Sequence, residues 1–356
     1  MQKFSKQGLT QTSTITLLLM VLHSSAAEAI DVGDRLEIHG YGHQGYLQST
    51  GNTYLKADNK GTWNYNSLSL VFTAKIDDKS KIWAQLHGTS ESVRLDWAYV
   101  DYQLTTNLSG RAGQIKQPLG LYNEIRDIKF LQLSTLEPML YQEAAEIVGE
   151  SFRGVSAIYD HQIGDANLSW DVYFGQPTET KVNETDHAKG KFTRLIGGRV
   201  TYKTSVEGLR FMTSAYKTKI ENAVSPLDNG SKKTVVLSAD YTANNFDIKA
   251  EYGKLWFLNE EGKTYYVQAG YSFAEKWTPF VRYDYFTNNV AEKNDPAHFQ
   301  KAKVLGLDYK INDALRVRVE NHFNRGYALP NASTVEGDAG GKEKWNLFVI
   351  SINFIF

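Results

Sequence analysis

The histidines are the side chains of this sequence best suited to acid–base catalysis or metal binding, and their spacing supports neither activity. His39 and His43 form the nearest pair, but four residues along a β-strand span about 13 Å, too far for two ligands of one metal ion. The sequence has no cysteine and no G-x-S-x-G motif, so neither common type of activated nucleophile is present. We therefore expect no enzymatic activity, no metal site and no cofactor.

Charged side chains offer a different chemistry, and several of them lie in one long segment, residues 118–151. Its first part reads GLYNEIRDIKF, so Glu124, Arg126, Asp127 and Lys129 follow one another closely. Charges that line a narrow aqueous passage with low-dielectric walls act strongly on a passing ion. The segment could therefore act on ions, provided that the surrounding elements hold it at such a passage.

The amino terminus has the features of an export signal. Two lysines precede the apolar run Ile15–Leu22, and Ala27 and Ala29 place small residues at the −3 and −1 positions of a cleavage site. The run is far shorter than the about 20 apolar residues that a membrane-spanning helix needs. We therefore expect residues 1–29 to be a cleaved signal peptide and residues 30–356 to form the exported domain.

Composition leaves two classes of exported protein open. The formal net charge of −1 gives no basis for nucleic-acid binding, which requires a concentrated basic patch. Without disulfides, a chain of this length must be stabilised by extensive backbone pairing and burial. Both a secreted soluble β-protein and a transmembrane β-barrel meet this requirement. The low mean hydropathy of the chain does not separate them, because half of each barrel strand faces water.

Alternation of apolar and polar residues is the main structural signal. In residues 66–76 the apolar set Leu68, Leu70 and Phe72 alternates with polar residues, which is the period of a β-strand. Segments of this kind have about the length that crosses a membrane when tilted. Sixteen are predicted, at 36–47, 66–76, 80–88, 92–104, 108–117, 152–160, 167–175, 194–202, 209–218, 233–242, 245–256, 265–273, 277–286, 302–310, 314–324 and 345–356.

The connections between these segments alternate in length. Tight polar turns join successive pairs of strands, as at 77–79, 164–165 and 311–313, and mostly longer connections separate the pairs. The predicted long connections are 48–65, 118–151, 176–193, 219–232, 257–264, 287–301 and 325–344, with a short one at 89–91. A barrel with short turns on one side and long loops on the other, and with an even number of strands, requires this rhythm.

Aromatic residues gather at both ends of the predicted strands. One group lies beside the short turns and comprises Tyr159, Tyr202, Tyr241, Phe246, Phe273, Trp277 and Tyr309. The other lies beside the long connections and comprises Trp63, Tyr65, Trp256, Tyr285, Phe323 and Trp345. Core aromatics would be scattered along the strands, so this distribution favours two interfacial girdles.

The last segment combines the features of a membrane strand. From Trp345 to Phe356 it alternates apolar residues on both faces, and the chain ends on Phe356 two residues after Phe354. Such an exposed edge would aggregate in a soluble domain, whereas in a closed barrel it pairs with the first strand and faces lipid. Here the sequence resembles the bacterial outer-membrane porins, whose final strand ends in Phe. The resemblance implies that Phe354 and Phe356 are the assembly signal.

The resemblance extends to the long segment. RAGQIKQPLGLYNEIRD, residues 111–127, is similar to the strand-five to loop-three region of phosphate-selective and related porins. In those proteins the third loop folds inward and narrows the barrel. The resemblance therefore implies an all-β, sixteen-stranded transmembrane antiparallel barrel in which residues 119–150 form a constriction loop, with Glu124, Arg126, Asp127 and Lys129 at the constriction.

Alternation also predicts which strand charges line the lumen. The principal ones are Lys75, Lys81, Arg94, Asp96, Arg210, Arg282, Arg316, Arg318 and Glu320. With the acidic residues of the loop opposite the basic residues of the wall, we expect a transverse field that orients dipolar solutes. The alternative is that these charges solvate the lumen and pair locally. Alternation breaks near the loop, so the orientation of Lys116 stays open.

The predicted function is passive diffusion of small hydrophilic or charged solutes and ions through the bacterial outer membrane, with a possible preference for anions. The resemblance implies a homotrimer and, as partners, outer-membrane lipid, lipopolysaccharide and the barrel-assembly machinery. Two other classes stay open: an outer-membrane barrel enzyme or adhesin, and a secreted soluble β-sandwich that binds ligands.

Overall fold

The chain forms a closed antiparallel β-barrel of sixteen strands, as the sequence predicts. This is seen in a computed structural model that describes residues 30–142, 149–178, 190–222, 230–258, 260–330 and 341–356. Each barrel strand pairs with the next along the chain, and the last pairs with the first. A closed barrel has no free edges and is not a β-sandwich. In the described part of the chain, no helix combines the length and the apolar character needed to cross a membrane.

Seventeen strands lie within the described residues, the first outside the barrel ring. They are β1 (Ile30–Val32), β2 (Leu36–Ser49), β3 (Thr62–Lys75), β4 (Ser80–Gly88), β5 (Val93–Gln103), β6 (Leu108–Lys116), β7 (Ser151–Ile163), β8 (Ala166–Pro177), β9 (Gly190–Lys203), β10 (Leu209–Asn222), β11 (Gly230–Ala243), β12 (Phe246–Phe257), β13 (Glu260–Tyr271), β14 (Trp277–Thr287), β15 (Phe299–Asn312), β16 (Leu315–Gly326) and β17 (Lys344–Ile355). Strands β2 to β17 match the sixteen predicted segments. The predicted signal peptide, residues 1–29, lies outside the described residues.

Two local features differ from the prediction. Strand β1 is an additional short segment that pairs with β2, with Ile30 opposite Ile38. The connection predicted at 257–264 is not long, because β12 continues to Phe257 and β13 begins at Glu260. The polar residues of this segment extend the hairpin beyond the apolar band, and alternation alone did not distinguish them from a loop.

The barrel closes through the carboxyl-terminal residue. The backbones of Phe356 and Gly40 exchange two N–H···O bonds of 2.8 Å each. A Cβ on Gly40 would lie 2.1 Å from the Phe356 ring, and one on Gly42 would lie 2.7 Å from the Phe354 ring. These glycines therefore make room for the terminal aromatic rings of their own chain.

The two faces of the strands differ as alternation predicts. Apolar side chains such as Val267, Val281 and Leu305 are exposed on the outer face, where a membrane would cover them. Most of the predicted girdle aromatics are exposed or half-exposed at the strand ends. Tyr65 and Trp345 are exceptions and point inward: the Tyr65 hydroxyl approaches the Thr135 carbonyl at 3.4 Å, and Trp345 is buried.

The hydrophobic core lies inside the barrel. Loop residues such as Leu119, Ile128, Leu136 and Leu140 are buried in one cluster with inward-facing wall residues such as Val236. Fully burying one side chain of this size contributes about 1.5–3 kcal/mol relative to leaving it exposed. The third loop is thus an integral part of the folded barrel.

Candidate functional site in the barrel lumen

The third loop, residues 117–150, folds back into the barrel and crosses its lumen. Its described part contains three short 3-10 turns, at Asn123–Ile125, Lys129–Leu131 and Met139–Tyr141. The loop makes hydrogen bonds or ion pairs with side chains of β3, β4, β6, β9, β10, β12, β13, β14, β16 and β17. It is therefore fastened around most of the circumference.

Lys116, at the end of β6, fastens both ends of the loop. Its ammonium nitrogen lies 2.5 Å from an oxygen of Asp127, 2.5 Å from one of Glu150 and 3.0 Å from one of Asp96 on β5. Arg94 adds contacts of 3.2 Å to Glu150 and 3.4 Å to Asp96. Because three carboxylates surround one lysine, we call these residues the Lys116 cluster.

The acidic members of the cluster that belong to the loop are stabilised in their ionised form. Burial alone would raise the pKa of Asp127, but the charge and hydrogen bond of Lys116, together with the charges of His87 and Arg126, hold this pKa below its ordinary value. Burial and Lys116 oppose each other in the same way at Glu150, and the pKa of Glu150 is also lowered. At neutral pH the loop is therefore held by ionised carboxylates of Asp127 and Glu150 that pair with Lys116.

The carboxylates of Asp96, Asp127 and Glu150 are also the group within the described residues that could hold a metal ion, because their oxygens lie within 4.8 Å of one another. The Lys116 ammonium contacts all three carboxylates and supplies their positive partner. The arrangement therefore fits an ion-paired latch.

Glu124 joins the loop to a second part of the barrel wall, on β9. Its carboxylate lies 2.5 Å from the guanidinium of Arg199 on β9, and Arg199 also contacts Asp171 on β8 at 3.4 Å. Arg199 was not among the predicted site residues, although alternation with the outward Val200 and Tyr202 would have placed it inward.

Arg126 and Lys129 both face Glu137 within the loop. Lys129 makes an ion pair with this carboxylate, and Arg126 approaches it at 3.7 Å. Burial tends to raise the pKa of Glu137, but Lys129 and Arg126 more than compensate and lower it. The four residues predicted at the constriction therefore all lie in the lumen, and each is ion-paired. Their role at a constriction stays a prediction.

Acidic side chains of the wall accept hydrogen bonds from the loop. Glu251 on β12 accepts from the Leu121 backbone N–H at 2.9 Å and from the Tyr141 hydroxyl at 2.6 Å. Glu320 on β16 accepts from the Thr135 backbone N–H at 2.5 Å and from the Ser134 hydroxyl at 2.6 Å. Both carboxylates are buried, so these bonds satisfy groups that water cannot reach.

Basic side chains of the wall donate to the backbone of the loop. Arg282 on β14 donates to the Leu136 carbonyl at 2.9 Å. Arg318 on β16 donates to the Lys129 carbonyl at 2.5 Å and to the Phe130 carbonyl at 3.2 Å. These two arginines position the loop. Each also pairs with an aspartate of the wall at 2.6 Å, Arg282 with Asp284 and Arg318 with Asp308.

The other predicted lumen charges lie on the inward side of their strands. Arg210 pairs with Asp240 at 2.6 Å, and Arg316 pairs with Asp308 at 2.9 Å. Lys75 and Lys81 stand opposite each other on β3 and β4 at the end with short turns, where Lys75 contacts Asp78 at 2.9 Å. That these inward-facing charges line a water-filled passage stays a prediction.

The charges are not divided into an acidic loop and a basic wall. Glu251 and Glu320 place negative charge on the wall, while Arg126 and Lys129 place positive charge on the loop. Ion pairing is local, as the alternative interpretation proposed. The reason is that each charge taken out of bulk water needs a partner at contact distance.

The histidines have structural partners. His43 shares a hydrogen bond of 2.9 Å with Ser67, and His87 shares one of 2.8 Å with Ser69. His322 lies 3.1 Å from Glu320, the carboxylate that holds the loop. The two serine–histidine hydrogen bonds are buried and join neighbouring strands, β2 to β3 and β3 to β4.

The structure is similar to solved outer-membrane channels over nearly its whole length. The anion-selective porin from Comamonas acidovorans superposes with a TM-score of 0.60 at 14% identity, covering 90% of this chain and 99% of that one. The outer-membrane channel DcaP of Acinetobacter baumannii gives 0.60 at 12% identity, over 92% and 100% of the two chains. OmpF of Salmonella typhi gives 0.61 at 14% identity, over 91% and 98%.

These comparisons define the fold. No protein-family model matches the sequence, and no curated protein matches it as a relative. The similarity to these channels is therefore a similarity of backbone fold at low sequence identity. The chain has the sixteen-stranded fold of the porins.

Proposed function

We propose that this protein is an outer-membrane porin, a water-filled channel through which small hydrophilic and charged solutes diffuse. The observation that carries the proposal is the third loop, which crosses the lumen of a closed barrel and is held there by paired charges. A barrel that only anchored an adhesin would not need a polar segment fastened across its interior. The solutes would pass the loop, which sets the width of their path.

The proposal includes the location and the assembly of the chain. Residues 1–29 are the export signal, residues 30–356 form the barrel, and Phe354 and Phe356 are read by the assembly machinery. Outer-membrane lipid, including lipopolysaccharide, surrounds the barrel. The homotrimer is supported by the solved trimer form of OmpT of Vibrio cholerae, which superposes with a TM-score of 0.57 at 13% identity over 91% of this chain and 100% of that one.

A preference for anions is a finer part of the proposal. In two wall pairs the cation is much more exposed than its carboxylate: Arg94 is 50% exposed against 3% for Asp96, and Arg316 is 28% exposed against 1% for Asp308. The reverse holds at Arg111 and Asp101. The likeness to the anion-selective porin from Comamonas acidovorans points the same way as the two exposed cations. Exposed cations would raise the local concentration of anions.

The experiment is planar-bilayer recording of the refolded chain, residues 30–356, under a salt gradient. We expect stepwise channels with a reversal potential of the sign that marks anion preference. Channels with a reversal potential near zero would remove the anion preference and leave the pore. A correctly folded barrel that never conducts would contradict the porin function and favour an adhesin or an enzyme.

A further inference from the structure

Two opposite charges on the inner wall, near the short-turn end of the barrel, do not pair with each other or with another charge. Asp160 lies on β7 and Lys203 is the last residue of β9, and both are half-exposed. The residues before them, Tyr159 and Tyr202, are exposed on the outer face, so Asp160 and Lys203 face inward. Among the residues that the structure describes, neither forms an ion pair.

The neighbouring charges at this level of the barrel do pair. Arg210 stands directly opposite Lys203 on β10, and its Nε lies 2.6 Å from a carboxylate oxygen of Asp240. Lys249 approaches the other oxygen of Asp240 at 3.6 Å. Asp240 is therefore already shared by two cations. Lys203 has a cation beside it and no anion, and directly opposed like charges destabilise a strand pair, so an external anion would be stabilising there.

The gap between Asp160 and Lys203 has the size of a small solute. Asp160 is opposite Ser169 on β8, Ser169 is opposite Thr201 on β9, and Lys203 lies two residues further along β9. Two strand spacings and two residues of rise place the backbones of Asp160 and Lys203 roughly 12 Å apart. The two side chains occupy part of this distance, and the rest accommodates a molecule of a few non-hydrogen atoms.

The wall between the two charges is polar and has unused hydrogen-bonding groups. Asn167 lies directly opposite Lys203, and Ser169 and Thr201 lie in the row between the two charges. In the described part of the chain, the side chains of these three residues make no hydrogen bond. A few polar groups of this kind fix the orientation of a ligand in a binding site.

The next charges toward the third loop are closed among themselves. Asp171 and Arg199, each two residues further along its strand, are only 5% and 6% exposed. Arg199 pairs with Asp171 and with Glu124 of the loop. A solute that passes the loop toward the short turns therefore meets Asp160 and Lys203 as charges that are half-exposed and still without a partner.

We propose that Asp160 and Lys203 form a subsite that binds zwitterionic α-amino acids. The carboxylate of the solute pairs with Lys203 and accepts a further hydrogen bond from Arg210, whose guanidinium has five N–H donors and uses one for Asp240. The ammonium of the solute pairs with Asp160. This inference rests on the proposed function, because it names a class of solute for that channel, but the binding can be measured without conduction.

The test is a ligand-observed NMR titration of the refolded chain, residues 30–356, in detergent micelles. The three probes are L-alanine, L-lactate, which has a hydroxyl in place of the ammonium, and L-alaninamide, which has no carboxylate. We expect L-alanine to bind at least about tenfold more tightly than either of the others, because each of these loses one charge-assisted hydrogen bond.

Single substitutions should separate the two halves of the site. Lys203→Gln should weaken L-alanine and L-lactate about tenfold and leave L-alaninamide unchanged, whereas Asp160→Asn should weaken L-alanine and L-alaninamide and leave L-lactate unchanged. Lys203→Arg keeps the charge and should keep the affinity for L-alanine. Lys75→Gln is the control, because it removes a cation at the same end of the barrel that is paired with Asp78 at 2.9 Å.

Equal affinities for the three probes would overturn the proposal, and so would wild-type affinity for L-alanine in Lys203→Gln or in Asp160→Asn. Heat-dependent gel migration verifies that each variant is a folded barrel. Conduction without a preference for L-alanine would remove the subsite and leave the pore. Preferential binding of L-alanine by a barrel that never conducts would remove the pore and leave the subsite.

Discussion

The ammonium nitrogen of Lys116 lies 2.5 Å from a carboxylate oxygen of Asp127, and this contact fastens the first turn of the third loop to the strand that precedes it. Glu150, at the far end of the same loop, contacts the same ammonium at 2.5 Å. One lysine thus closes a loop of more than thirty residues at both ends. The loop between these ends reaches the opposite wall, where Glu251 and Glu320 hold it.

Replacing Lys116 with Met should release the loop. The substitution removes the cation that contacts all three carboxylates and leaves Arg94 with Asp96 and Glu150 only, and breaking a buried ion pair costs about 3–5 kcal/mol. We expect the free energy of unfolding in detergent to fall by about this amount and the single-channel current to become larger and noisier. Lys276→Met, in an exposed short turn, is the matched control and should change neither quantity. A Lys116→Met channel with wild-type conductance and stability would mean that the cluster does not hold the loop.

Ion selectivity should depend on Arg126 and Lys129. Both face Glu137, so removing the two cations leaves this carboxylate as net negative charge in the lumen. We expect the double variant Arg126→Ala with Lys129→Ala to shift the reversal potential toward cation preference in a salt gradient. Glu137→Gln should shift it in the opposite direction. Unchanged reversal potentials in both variants would place these residues away from the ion path.

Docking of the loop should weaken in acid. The pKa values of Asp127, Glu137 and Glu150 are lowered in the folded protein, so the ionised forms stabilise the docked loop above the ordinary carboxyl range of about 4. This stabilisation is lost as the pH falls from that range through the lowered values. Single-channel noise should therefore be constant from pH 7 to 5 and should rise below about pH 4.

The same recording on Lys116→Met provides the comparison for the acid experiment. Without the ammonium, burial raises the pKa of Asp127 and of Glu150, so the onset of the noise should move to higher pH. If the noise of the wild-type channel began to rise at pH 5 or above, these carboxylates would not be the groups that hold the loop in place.

Barrel closure should depend on the absence of a side chain at Gly40. A Cβ there would meet the Phe356 ring at 2.1 Å, so Gly40→Val must displace the terminal aromatic residue from its place beside the first barrel strand. We expect a lower yield of heat-modifiable barrel on refolding. Gly110→Ala is the control, because its nearest contact would be 3.7 Å away. Normal refolding of Gly40→Val would show that the Phe356 ring can be seated elsewhere.

The strands could be predicted from the sequence because they depend on a local pattern. A period of two along each strand decides which side chains face outward, and the tight turns mark where strands end. The final strand was identified for the same reason, since Phe348, Ile352 and Phe356 follow that period. The error at 257–264 arose because a polar strand end beyond the membrane has no apolar face to mark it.

The partners of the lumen charges were decided by the tertiary structure alone. Leu121 and Glu251 meet only after the barrel has closed and the loop has folded into it, although they are 130 residues apart. Alternation predicts that Glu251 faces inward, but it carries no information on what lies across the lumen. The sequence by itself determined the barrel, its strands and the long loop. Closure of the barrel decided how the charges pair, because an ion pair forms only at contact distance and the desolvated charges of the lumen select their nearest opposite charge.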